Sequence, residues 1–91
     1  MKQQIITIIE KEDFLTDIDE SYIDIMWDSL NNKYYLSISI YENTVTTEVE
    51  SRFVEEYTDL ITKYNLLLVM SDSDIVNFKN NLITLINNYF K

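Results

Sequence analysis

Ninety-one residues with a hydrophobic fraction of 46%, seven Tyr, four Phe and one Trp have the composition of one folded domain spanning residues 1–91. Sixteen acids against seven bases set a net charge of −9, which disfavours direct contact with nucleic acid or an anionic membrane and favours basic partners. Cys, Gly, Pro and His are all absent, which excludes disulfides, thiolate metal sites, glycine-rich phosphate loops and histidine base catalysis.

In chain order, the first stretch, KQQIITIIEKEDFL, reads two ways. Four isoleucines favour a strand, whereas the polar flanks and the Glu-Lys-Glu tail favour a short helix, so residues 2–12 stay open between the two. The segment turns acidic too soon for a signal peptide, and the longest apolar run, Leu66 to Met70, is five residues. A cytoplasmic protein is therefore expected, in the host cytoplasm if the chain is phage-encoded.

Strict alternation follows. Ile23, Ile25 and Trp27 share one face of residues 22–28, with Tyr22, Asp24, Met26 and Asp28 on the other. Residues 34–41 set Tyr34, Leu36, Ile38 and Ile40 against Tyr35, Ser37, Ser39 and Tyr41. Between them SLNNK supplies Asn31 and Asn32, which tolerate the left-handed backbone of a tight turn, and the whole predicts a β-hairpin. ENTVTT is expected to bend back as a short third strand with Val45 and Thr47.

The period then becomes helical. Val49, Phe53, Tyr57, Leu60, Ile61 and Tyr64 form one stripe, with Thr47 and Glu50 as its capping box and Asn65 as its stop. LLLVM reads as a buried strand or an apolar connector. Ser71 or Ser73 caps a second helix beside Asp72 and Asp74, and Ile75, Phe78, Leu82, Leu85, Ile86 and Tyr89 form its apolar stripe. The predicted fold class is α+β: a small antiparallel meander with two or three helices on one face.

Carboxylates are plentiful, but chemistry is not legible in them. Asp17, Asp19, Ser21 and Asp28 match positions one, three, five and twelve of a calcium loop, yet Tyr22 stands where the sharp turn wants glycine. Strand alternation over 22–28 also prevents the segment from wrapping a cation. Glu55–Glu56 and Asp17–Asp19 are pairs that an acidic chain produces by chance, and no serine has a His or nearby Lys to activate it. Arg52, the only arginine, is expected to pair with Glu48, Glu55 or Glu56. A non-enzyme without metal or other cofactor is therefore expected.

Between Glu10 and Asp28 stand eight acids and one base, Lys11. The candidate partner-binding residues are Asp17, Asp19, Glu20, Tyr22, Asp24, Met26, Asp28, Tyr35 and Tyr41, tyrosine anchors among steering charges. Carboxylates on alternate strand residues lie roughly 7 Å apart, a spacing that resembles successive phosphates and suggests a DNA mimic. The bland alternative is a solvated loop and sheet face.

In size, charge and order of elements over SYIDIMWDSLNNKYYLSISIYENTVTTEVESRFVEEYTDLITKY, residues 21–64, the chain resembles small acidic phage-encoded inhibitors, anti-CRISPR proteins among them. The resemblance implies a stoichiometric blocker of a nuclease or other nucleic-acid-binding effector, and it assigns no residue a role. Immunity proteins and antitoxins, which neutralise toxins, are similar in the same respects. A homo-oligomeric accessory subunit, such as a homodimer, is the other open alternative. Its motive is the apolar surface of Ile5, Ile6, Ile8 and Ile9 and of Leu82, Ile83, Leu85, Ile86, Tyr89 and Phe90.

Overall fold

The computed structural model describes residues 1–17, 19–64 and 71–91. Its elements run α1 (Lys2–Ile9), β1 (Ser21–Asp28), β2 (Lys33–Ile40), β3 (Asn43–Val49), α2 (Ser51–Tyr64) and α3 (Asp72–Tyr89). The strands form one antiparallel sheet in the order β1-β2-β3, so the fold class is α+β. The expected helix stop at Asn65 and the LLLVM segment lie outside the described residues.

The ambiguous first segment is a helix. Ile5, Ile6, Ile8 and Ile9 follow the i, i+1, i+3, i+4 spacing that places four side chains on one side, and all four are buried. The strand preference of β-branched residues amounts to a fraction of a kcal/mol each. Burying each isoleucine contributes roughly 1.5–3 kcal/mol, so packing decides the element. The same burial removes α1 from the apolar surface that motivated self-association. On α3, Leu82 and Ile86 are likewise buried, while Ile83, Leu85, Tyr89 and Phe90 are half-buried against the core.

The register aligns Ile23, Ile38 and Val45 across the sheet, then Ile25, Leu36 and Thr47, then Trp27, Tyr34 and Val49. Leu36, Ile38 and Ile40 of β2 share one core with Phe14, Phe53, Tyr57, Phe78, Leu82 and Ile86. α1 packs on β2 and β3, α2 packs on β3, and α3 lies between α1 and α2 in this layer. Among the described residues β1 is an edge strand, and cover thins towards it. Ile23 and Ile25 are half-buried, and Trp27, expected inside, is 51% exposed with its ring 4.6 Å from that of Tyr34.

Two boundaries differ from the sequence reading. β3 is a full strand that runs through Val49, because the ladder to β2 continues to Tyr34↔Val49. Thr47 is therefore paired with Leu36 and cannot cap a helix. The Glu50 carbonyl instead accepts the first helical N–H groups, from Phe53 at 3.0 Å and Val54 at 3.3 Å. At α3 the cap is Ser71, whose hydroxyl accepts the Asp74 N–H at 3.2 Å.

A chain without glycine must turn with other residues. Leu15, Asn32 and Tyr41 adopt φ of 67°, 57° and 53°, a region that costs a residue with a Cβ roughly 1 kcal/mol or more. Hydrogen bonds hold each turn in compensation. The Asp28 carboxylate accepts the Leu30 and Asn31 N–H groups at 3.1 and 3.3 Å and the Asn31 amide at 2.8 Å. The Leu15 N–H donates to the Ser21 hydroxyl at 2.9 Å, and the Tyr41 N–H donates to the Glu20 carbonyl at 2.6 Å.

Ile9→Ala is expected to destabilise the domain by about 2–5 kcal/mol in urea unfolding, since Ile9 is fully buried. A loss below about 1 kcal/mol would mean that α1 is a peripheral appendage. Asn32→Gly, by contrast, relieves a positive φ and should raise stability by a few tenths to about 1 kcal/mol.

Candidate functional site

The helical layer covers one face of the sheet, and the other face carries Tyr22, Asp24 and Met26 from β1, Tyr35, Ser37 and Ser39 from β2, and Thr44, Thr46 and Glu48 from β3. Its rows are Tyr22–Ser39–Thr44, Asp24–Ser37–Thr46 and Met26–Tyr35–Glu48. No described helix covers Ser37 or Ser39, yet both are buried. Flanking side chains enclose them: the Tyr22 hydroxyl lies 3.2 Å from Ser37 Oγ, Thr46 Oγ1 donates to Ser37 at 3.4 Å, and the Ser39 and Thr44 hydroxyls lie 2.9 Å apart. The centre of this face thus holds two hydroxyl clusters, Tyr22–Ser37–Thr46 and Ser39–Thr44, and its β1 side presents Tyr22 and Met26 at 46% and 43% exposure.

The candidate residues separate into three groups. Tyr22, Asp24, Met26 and the half-buried Tyr35 share the open sheet face. Asp28 stands at the hairpin turn, where bonding from Asn31 holds its carboxyl below the usual range. Its charge is therefore committed to local structure. Asp17, Asp19, Glu20 and Tyr41 belong to the opposite end of β1, where the acidic loop meets the β2–β3 turn. Asp19 and Glu20 are exposed there, and Asp17 is half-buried.

Tyr41 is not a free anchor on the sheet. Its hydroxyl donates to an Asp13 carboxylate oxygen, and Asp17 and Glu20 add negative potential. The bond to Asp13 is the main reason that the Tyr41 phenol is pushed up to about 12. The loop is tied from below as well. Lys79 of α3 donates to the Lys11 carbonyl at 2.7 Å and lies 5.8 Å from the centre of the Phe14 ring. Burial lowers the Lys79 pKa, against the pull of Asp13 and Glu12.

Carboxylate spacing on β1 is wider than a phosphate-like ladder needs. Asp24 and Asp28 are four residues apart, or roughly 13 Å along a strand, with Met26 between them. Arg52 also departs from its expected place: its guanidinium sits 4.6 Å above the Tyr89 ring, and Glu48 pairs with Lys33 at 3.0 Å. That pair is about half exposed, so it contributes little stability, although the Glu48 bond raises the Lys33 pKa.

Sequence reasoning missed Trp27, Asp13 and Lys79. Trp27 and Tyr34 line a surface depression with Lys33, Glu48, Glu50 and Tyr89. The edge position of β1 in a meander is the signal that could have exposed Trp27, because an edge residue has a strand neighbour on one side only. Among the described residues, no group of three or more acids is gathered as a metal site, and no helix is long and apolar enough to cross a membrane. Compared with known families, characterised proteins and solved structures, the chain matches none.

The Tyr41–Asp13 bond has a measurable signature. Because folding raises the Tyr41 pKa, its stabilisation is complete below the ordinary tyrosine value near 10 and is lost as pH rises towards about 12. Asp13→Ala should bring one tyrosine ionisation, followed by tyrosinate absorbance, back towards about 10. An unchanged titration would show that the bond does not persist in solution.

Proposed function

We propose that this chain is a non-catalytic inhibitor whose acidic surface binds a basic region of a nucleic-acid-processing enzyme, as small phage-encoded inhibitors such as anti-CRISPR proteins do. The observation that carries the reading is the sheet face that no described helix covers, where Tyr22 and Met26 stand exposed on either side of Asp24. Two apolar anchors around a charge suit a protein interface: the anchors supply buried area, and the carboxylate sets register. Asp19 and Glu20, exposed at the adjoining end of β1, extend the negative edge of the patch.

The net charge of −9 supplies long-range steering towards a basic partner. The wide spacing of the β1 carboxylates favours recognition as a protein surface over imitation of a phosphate backbone. Such a blocker acts by occupancy, needs no cofactor, and belongs in the cytoplasm with its target.

Immobilised protein is expected to retain a basic nucleic-acid-binding protein from host lysate, and free chain should displace that partner from heparin. Its on-rate should fall steeply between 0.1 M and 1 M salt, as the Debye length drops from about 10 Å to about 3 Å. Asp19→Asn combined with Asp24→Asn should slow association in the same way while leaving the unfolding midpoint nearly unchanged. Asp28 is left intact because it holds the turn. A partner whose on-rate ignores both salt and this double substitution would place the contact away from the acidic face.

A further inference from the structure

We infer that the free edge of β1 is a docking site for an extended, basic segment of the partner, which adds to the sheet as a fourth strand. The inference rests on the acidic-surface reading and specifies how that surface is engaged.

Among the described residues, β1 has a strand neighbour on one side only. The Ile25 N–H donates to the Asp24 carboxylate at 2.9 Å instead of to β2, so it points off the sheet edge. By the alternation of an antiparallel strand, the N–H and C=O groups of Ile23 and Trp27 point the same way. Among the described residues, no backbone group outside the sheet pairs with residues 22–28. An open row of donors and acceptors of this kind is a template for strand addition.

The underside of the edge is unfinished as well. Because α1 and α2 pack on β2 and β3, the inward side chains Ile23 and Ile25 remain half-buried and Trp27 is half-exposed. A fourth strand with apolar residues on its inner face would complete their cover. On the outer face it would meet Tyr22, Asp24 and Met26.

Asp24 selects the occupant. An incoming carbonyl must displace its carboxylate from the Ile25 N–H. Lys or Arg on the outer face of the new strand can then take up the released carboxylate, so the exchange conserves hydrogen bonds and pairs the charge. An acidic or neutral strand would leave the Asp24 charge to water alone, without an opposite charge to pair it. A second copy of this chain is a poor occupant, since β1 against β1 would oppose carboxylates between molecules that each carry −9. Alternating basic and apolar residues are the chemistry that fits.

The test uses the intact protein and three octapeptides: alternating Lys and Val, its N-methylated analogue, which keeps the side chains and loses the backbone donors, and alternating Glu and Val. The Lys–Val peptide should slow hydrogen exchange at the Ile23, Ile25 and Trp27 amides. It should also shift the emission of Trp27, the only tryptophan, to the blue. The other two peptides should bind at least about tenfold more weakly. Equal binding of the N-methylated peptide, or binding without protection of those amides, would overturn edge docking while leaving the acidic-surface reading intact. Equal binding of the Glu–Val and Lys–Val peptides would instead defeat the acidic reading and the selection by Asp24 together. No binding of any peptide, or protection of the same amides in the protein alone by self-pairing, also overturns the proposal.

Discussion

Burial of one sheet face under a single layer of helices is the constraint on which the rest of this structure depends. Leu36, Ile38 and Ile40 of the central strand share a core with Phe53, Phe78, Leu82 and Ile86, all of them fully or almost fully buried. Among the described residues, α1 and α2 pack on β2 and β3 with α3 between them, and little helical cover reaches β1. The opposite face must then satisfy itself, and it does so through hydroxyl pairs among Tyr22, Ser37, Ser39, Thr44 and Thr46. The exposed anchors, the half-covered edge and the buried serines all follow from that one-sided cover.

The lack of glycine is a second constraint, and it links the acidic loop to the sheet. Positive φ at Leu15 and Tyr41 would be unfavourable in isolation. The Leu15 N–H is held by Ser21, whose hydroxyl in turn donates to the Asp17 carbonyl at 2.7 Å. Tyr41 is held through its N–H by the Glu20 carbonyl and through its hydroxyl by Asp13. Residues that look like free acids in a loop are therefore partly structural. Asp13 and Asp28 restrain turns, whereas Asp19, Glu20 and Asp24 are exposed, and Asp24 accepts the N–H of the adjacent Ile25.

That division matters for how the surface meets a partner. Uncommitted carboxylates steer over long range and contribute little to holding a complex once it forms. Holding it falls to Tyr22, Met26 and Trp27, three exposed apolar side chains of one edge strand. They point to both sides of the sheet: Tyr22 and Met26 to the open face, Trp27 to the helical side. A partner that reaches all three must wrap the strand edge, and a flat contact on the outer face would leave Trp27 untouched.

The hairpin and the stripes of α2 and α3 were legible because their signals are local. Period-two alternation over residues 22–28 and 34–40, an Asn-rich turn, and Phe78, Leu82 and Ile86 at helical spacing each specify their element within a few residues. The character of α1 was not local: four isoleucines are compatible with helix or strand, and the available core surface chose between them. Nor could the end of β3 be read, since Val49 belongs to the strand only because Tyr34 lies opposite. The candidate surface divides in the same way. Composition and alternation alone determined a strongly acidic chain with Tyr22, Asp24 and Met26 on one strand face. Tertiary structure decided which carboxylates stay free, that Tyr41 is bound to Asp13, and that Trp27 is exposed. These depend on contacts between residues distant in sequence and on the position of β1 at the sheet edge, and periodicity within a segment carries no record of what packs beside it.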